Sequence, residues 1–168
     1  MTMTPMRGVL PFLAAFLIAL PARGALFEHD ADDLAAEVRA AAREGKLLAV
    51  LFEQRDCDHC RALRAEVLAH GEAEAFARRY RTVKVAIDRA EAIKTPQGDS
   101  LPRWQWAGKL GVVATPAFIF FDGGGIVYRH LGTLSSPGEL ILLGRFIHER
   151  AYEEAPWAAY RDANDKPR

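Results

Sequence analysis

Cysteine is nearly absent: two residues in 168, Cys57 and Cys60, three positions apart. A bridge between them would close almost no loop, and loop closure is what lets a structural disulfide stabilise a chain. A disulfide-stapled scaffold is therefore excluded, and a pair that holds so little together is better suited to react. An excess of charge is also missing. Lys plus Arg count 22 and Asp plus Glu count 22, a formal net charge of zero, so the broad basic footprint of a nucleic-acid binder is lacking. Long apolar runs are lacking too. The stretch from Gly8 to Leu20 falls short of the roughly 20 residues that span a bilayer, and no cysteine follows it to carry a lipid anchor. There is no internal repeat and no low-complexity block.

Half of the residues are hydrophobic, enough for the core of one ordinary domain. Arg7, the apolar run and then Pro21-Ala22-Arg23-Gly24 form the pattern of a secretory signal peptide. Cleavage is expected after Gly24, with Ala22 and Ala25 as alternatives; an uncleaved anchor is the competing reading. The expected organisation is a signal peptide over 1–24, one folded domain over 25–155 and a polar, loosely held tail over 156–168. An exported chain is expected.

Periodicity then gives an order of elements. Asp30 is expected to cap a helix that has Asp33 in its first turn, carries Leu34, Val38, Ala41 and Ala42, and closes at Gly45. Leu47 to Phe52 is a continuous apolar run, as in a strand buried on both faces. Cys60, Leu63 and Val67 follow at helical spacing. A short helix is expected over 72–80, and Val83, Val85 and Ile87 alternate as a strand. The segment 89–102, with Pro96, Gly98 and Pro102, reads as a loop or short insertion. Next come a helix over 103–110 closed by Gly111, a strand over 117–121, a glycine-rich turn and a hairpin partner over 126–131. Ser136, Pro137 and Glu139 open a last helix that reaches toward Tyr152. The fold class is α/β: a mixed central sheet with helices on both faces.

The motif Cys57-Asp58-His59-Cys60 lies where the buried strand hands over to a helix. Thiol–disulfide exchange needs a thiolate and a second thiol to resolve the mixed intermediate. At a helix start, free N–H groups and the dipole favour negative charge, so Cys57 is the expected nucleophile with a depressed pKa and Cys60 the resolving thiol. Protonated His59 would stabilise the Cys57 thiolate and Asp58 would oppose it. That balance places the thiol between the strongly oxidising extreme of about 3.5 and thioredoxin's value of about 7, and implies a mid-range or reducing protein. Arg61 stands where c-type haem attachment needs histidine. Structural zinc wants four ligands, and the two cysteines with His59 leave one place open for His29, His70, His130 or His148. A Cu(I) site from the cysteines and a histidine is a third alternative.

The chain resembles the thioredoxin superfamily over roughly residues 30–152. The match rests on the strand before the cysteine motif, the pair Thr115-Pro116 opening the next strand, and the glycine-rich hairpin before a terminal helix. The resemblance implies a three-layer α/β/α sandwich, a cis peptide before Pro116, and a substrate strand held by the backbone of Thr115. A narrower likeness is to periplasmic SoxW- and SoxS-type thioredoxins of sulfur-oxidising bacteria, carried by Leu51-Phe52-Glu53-Gln54, the two cysteines, Leu110-Gly111-Val112 and the stretch from Ala151-Tyr152. It implies a reductase that keeps a partner's thiol reduced, notably that of a sulfur carrier protein, and is itself reduced by a membrane-bound electron donor. No dissociable cofactor is implied, only the redox-active Cys57–Cys60 pair, and a monomer is expected.

Two departures stand out. Thioredoxins have a buried Asp six residues before the first cysteine, and here Leu51 is there. Glu53, two residues on, is either a relay for the resolving proton or a part-exposed acid at a strand end. The spacer is also not Gly-Pro, which puts reduction by cytoplasmic thioredoxin machinery in doubt. Trp104 and Trp106 are read as core or lid residues with partner contact as the alternative, and Arg55, Arg61 and Arg64 as surface charges able to steer an acidic partner. The competing functions are an oxidant or isomerase of protein disulfides and a Cu(I)-binding module.

Overall fold

Strand β1 (Leu47–Glu53) is the axis of the domain. Its side chains alternate between two separate cores: Ala49 and Leu51 point into one, Leu48, Val50 and Phe52 into the other. A strand buried on both faces needs layers on both sides, and the chain supplies them. The computed structural model describes residues 26–164, so the expected signal peptide lies outside the described residues. Among the described residues no helix is long and apolar enough to cross a membrane.

The order of elements is α1 (Leu34–Arg43), β1, α2 (Asp58–Leu63) running into a π-helical turn Arg64–Leu68, a 3₁₀ turn Gly71–Ala73 with α3 (Glu74–Ala77), β2 (Tyr80–Ala86), a hairpin of β3 (Ala92–Lys94) and β4 (Ser100–Pro102), α4 (Arg103–Lys109), β5 (Ala117–Asp122), β6 (Gly125–Leu131), α5 (Pro137–His148) and α6 (Trp157–Asn164). The main sheet has the order β2-β1-β5-β6. β1 runs parallel to β2 and antiparallel to β5, and β5 pairs antiparallel with β6. This is the expected mixed α/β sheet. One face packs against α2, α3, α5 and α6 around Phe27, Phe118, Phe120 and Phe146; the other packs against α1 and α4 around Phe52, Trp106, Ile119 and Phe121.

Several local expectations are corrected. The N-cap of α1 is Asp33, whose carboxylate accepts from the Ala36 N–H at 2.8 Å. Asp30 instead bridges to β2 and pairs with Arg89 and Arg103, both at 2.8 Å. Burial would raise its pKa, but the two guanidinium groups and the Ala86 N–H hold it below the ordinary carboxylate range. The helix expected over 72–80 shrinks to two short turns, because Tyr80 is the first residue of β2 and is buried. Segment 89–102 is not a plain loop. It folds as the β3–β4 hairpin, which the fully buried Arg103 anchors by donating to Asp30, Asp32 and the Glu91 carbonyl. α5 stops at His148, and a 3₁₀ turn covers Ala151–Glu153.

The expected loose tail is also corrected. Residues 157–164 form α6, whose Trp157 and Tyr160 rings lie 5.4 and 4.9 Å from the ring of Phe146. Arg145 of α5 donates to the Tyr160 hydroxyl at 3.0 Å and to Asn164 at 2.8 Å. Two aromatic anchors on a helix outweigh a polar average composition.

Helix α5 approaches the sheet closely at Gly144. The Tyr80 hydroxyl donates to the Gly144 carbonyl at 2.6 Å, and Tyr80 stacks on Phe76 with centroids 4.3 Å apart. A Cβ at Gly144 would stand 2.8 Å from Phe76 Cδ2 and 3.2 Å from Tyr80 Cε2. Overpacking of this kind costs about 1–3 kcal/mol. Gly144→Ala is therefore expected to lower the unfolding free energy of the oxidised protein by that amount, read as a lower urea midpoint with an unchanged denaturant slope.

Candidate active site

The register of β1 and β5 creates the site. Phe52 pairs with Ala117, so the loop leaving β1 faces the residues that enter β5. That loop delivers Cys57 as the N-cap of α2 and sets it against Thr115 and Pro116. The Thr115–Pro116 peptide is cis, and Pro116 is buried just ahead of the first β5 residue, where a strand tolerates a missing N–H.

Cys57 and Cys60 are joined, with S–S 2.06 Å and Cα–Cα 5.2 Å. In its capping position Cys57 Sγ accepts the Cys60 N–H at 3.0 Å. The Thr115 hydroxyl donates to the same sulfur at 3.4 Å, and the Thr115 carbonyl lies 3.5 Å away. Helix-start N–H groups, the dipole and a hydroxyl thus converge on one sulfur, a set that favours a thiolate once the pair is reduced. Both cysteines are nearly covered, at 6% and 4% exposure, and both line a hollow that opens beside them.

Among the described residues two hollows flank the motif. A polar recess of about 360 Å³ is lined by both cysteines with Glu53, Arg55, Arg64 and Asp88 among others. On the other side His59, Val113, Thr115, Pro116, Leu131 and Thr133 line an apolar groove of about 350 Å³. Val113 is 92% exposed.

The two spacer residues separate. His59 is exposed and faces the apolar groove, while Asp58 is ion-paired with Arg61 one helical turn on. Glu53 is buried at the end of β1, on the same face as the buried Leu51. Its carboxylate receives a two-pronged ion pair from Arg64, with contacts of 2.9 and 2.8 Å, and lies 3.4 Å from the Lys84 ammonium. Arg55 lies 3.9 Å from Asp88. The arginines near the motif are therefore tied to acids, which reduces their pull on an acidic partner. Trp106 is buried against Phe52 and Phe121, whereas Trp104 is 67% exposed. Among the described residues no three His, Cys, Asp or Glu side chains gather as a metal-binding group.

Sequence reasoning missed what Arg64 does, along with Lys84 and the apolar walls Val113 and Leu131. Arg64 stands four residues after Cys60, a spacing that does put it on the same helix face, but nothing in the sequence names Glu53 as its partner.

The model of a family described as a thioredoxin-like domain matches residues 34–147. No curated protein matches the sequence. Among solved structures the chain is similar to a thioredoxin-fold protein from Helicobacter pylori, with a TM-score of 0.62 and 13% identity over 85% of this chain and 94% of that one. A DsbH oxidoreductase gives a TM-score of 0.52 and 15% identity over 80% of this chain and 93% of that one. A thioredoxin from Thermus thermophilus gives 0.52 and 18% over 86% and 100%. At these identities the structural likeness concerns the fold.

The Thr115 hydroxyl supplies one hydrogen bond to Cys57 Sγ, and a hydrogen bond to a charged group is worth about 1.5 kcal/mol or more. In Thr115→Val, thiolate absorbance of reduced Cys57 is expected to appear at higher pH by about one pH unit. An unchanged titration would show that the hydroxyl does not serve the thiolate.

Proposed function

The chain belongs to the thioredoxin-like domain family, and from that premise we propose that it is a periplasmic thiol–disulfide oxidoreductase that reduces an oxidised cysteine on a partner protein. The observation that carries this reading is Cys57 at the mouth of α2, bonded to Cys60 and touching Thr115 beside the cis Pro116.

The reaction balances as two exchanges. The Cys57 thiolate attacks one sulfur of the partner's disulfide, a mixed disulfide forms, and the partner's other sulfur leaves as a thiolate. Cys60 loses its proton and attacks Cys57 Sγ. The Cys57–Cys60 bond closes and the partner's second sulfur departs reduced. Two electrons pass to the partner, and a membrane-bound donor returns them with two protons. Thr115 and Pro116 hold the incoming strand beside Cys57. Asp58 is tied to Arg61, so the helix start, the Cys60 N–H and the Thr115 hydroxyl are the main stabilisers of the thiolate, and Glu53 at the inner wall serves the resolving step.

The partner is a protein of sulfur oxidation, a carrier whose cysteine must be kept reduced. The likeness of Leu51-Phe52-Glu53-Gln54 and of Leu110-Gly111-Val112 to sulfur-oxidation thioredoxins supports this. Residues 1–24 support export, and the mature protein works without a dissociable cofactor.

Trapping tests the mechanism. Cys60→Ser is expected to accumulate a mixed disulfide through Cys57 in periplasmic extract, while Cys57→Ser traps nothing; equal trapping by both variants overturns the assignment. The reduction potential is expected within about 50 mV of thioredoxin's value near −270 mV, and a value close to about −120 mV marks an oxidant instead. Mass spectrometry of the exported protein is expected to show a chain that begins at Ala25, and a chain retaining Met1 in the membrane fraction would overturn the export reading.

A further inference from the structure

Arg64 is bonded to Glu53, Glu28 and Phe27 from its place beside the cysteines. It opens the π-helical turn directly after α2, where the Ala69 N–H donates to its carbonyl at 2.9 Å. A π turn inserts one residue into the helix and re-aims the side chains around it. The guanidinium then reaches two segments. It grips Glu53 at the end of β1, pairs with Glu28 at 3.1 Å and donates to the Phe27 carbonyl at 3.2 Å. Phe27 is fully buried and sits at φ 58°, a left-handed conformation that bulky residues rarely adopt. Its side chain packs edge-on against Phe118. The segment 26–28 precedes the part of the chain that matches the family model, and Arg64 fastens it to the redox helix.

Glu53 and Arg64 line the same recess as Cys57 and Cys60. An uncompensated carboxylate there would oppose a cysteine thiolate, since like charges in a partly desolvated site repel strongly. Arg64 faces that carboxylate with a planar, bidentate cation that lysine cannot reproduce. We propose that Arg64 is a positioning residue that neutralises and orients Glu53 beside Cys60, and through Glu53 sets the redox poise of the Cys57–Cys60 pair. Lys84, at 3.4 Å from a single oxygen, backs the pair without replacing it.

This rests on the reading of Cys57–Cys60 as a reversible redox pair. The test is equilibration of the full mature protein with glutathione at pH 7, in which two glutathiones give two electrons and two protons to the disulfide and leave as one glutathione disulfide. Arg64→Met is expected to shift that equilibrium about five- to tenfold toward the disulfide, and Arg64→Lys by a smaller amount in the same direction. In a Glu53→Gln background Arg64→Met is expected to shift it less than twofold, because the charge through which it acts is gone. The thermal midpoint of each oxidised variant is measured in parallel, and Phe27→Ala serves as the packing control, expected to lower the midpoint without moving the equilibrium. A shift equally large with and without Glu53, or a lower midpoint with no shift, overturns the role of Arg64. A wild-type pair that glutathione and dithiothreitol both fail to reduce overturns the redox reading itself.

Discussion

The pairing of β1 with β5 is the constraint on which the rest depends. β1 is apolar on both faces because it separates two cores, and a strand of that kind must lie in the middle of the sheet. Its parallel partner β2 requires a crossover, and that crossover is the helical stretch that begins with the cysteine motif. Its antiparallel partner β5 begins where β1 ends, with Phe52 opposite Ala117. The two ladders together bring a helix start, the Cys57 sulfur and the residue before a cis proline into contact at one edge. No side chain needs to reach across the molecule to assemble this site; backbone register alone does it.

Two of the charge knots around that frame tie down the segment ahead of α1. One centres on fully buried Arg103, which binds Asp30 and Asp32 and so holds the segment ahead of α1 against the β3–β4 hairpin. The other centres on Arg64, which binds Glu53 and Glu28. Both knots join a segment near the amino terminus to an element of the central fold, and both use arginine, whose fork satisfies several acceptors at once. A buried ion pair gains little net stability over an apolar pair, but leaving one member alone is costly. Such knots therefore act more as fixed geometry than as a source of stability, and the zero net charge of the chain conceals how firmly its arginines are assigned.

Much of this was legible in the sequence because it depends on local rules. The run Leu47–Phe52, the cysteines at the next helix start, the glycine-rich hairpin and the Ser136 cap each carry their signal within a few residues. What escaped depends on tertiary contacts. Asp30 has the chemistry of a cap, yet Arg103, 73 residues away, claims it. Tyr80 ends a helical pattern, yet pairing with Leu47 makes it a strand residue. Segment 89–102 lacks apolar periodicity because its hairpin is three residues deep on each side and buries one apolar residue, Ile93, fully. The composition of 156–168 is polar on average, and the two rings that dock α6 are diluted in that average.

The position of the acid at the site follows from the same competition between local and tertiary terms. Leu51 and Glu53 share one face of β1, but they meet different surroundings. Leu51 is enclosed by the apolar core with Leu63 and Phe118, where a carboxylate would find little to offset its desolvation. Two residues on, the strand emerges at the recess, and Arg64 and Lys84 are both within ion-pair distance. An acid there stays close to the cysteines while meeting cations instead of hydrocarbon. Moving the carboxylate from the core to its margin thus trades desolvation for ion pairing, and it makes the environment of Cys60 depend on an arginine of the same helix rather than on burial alone.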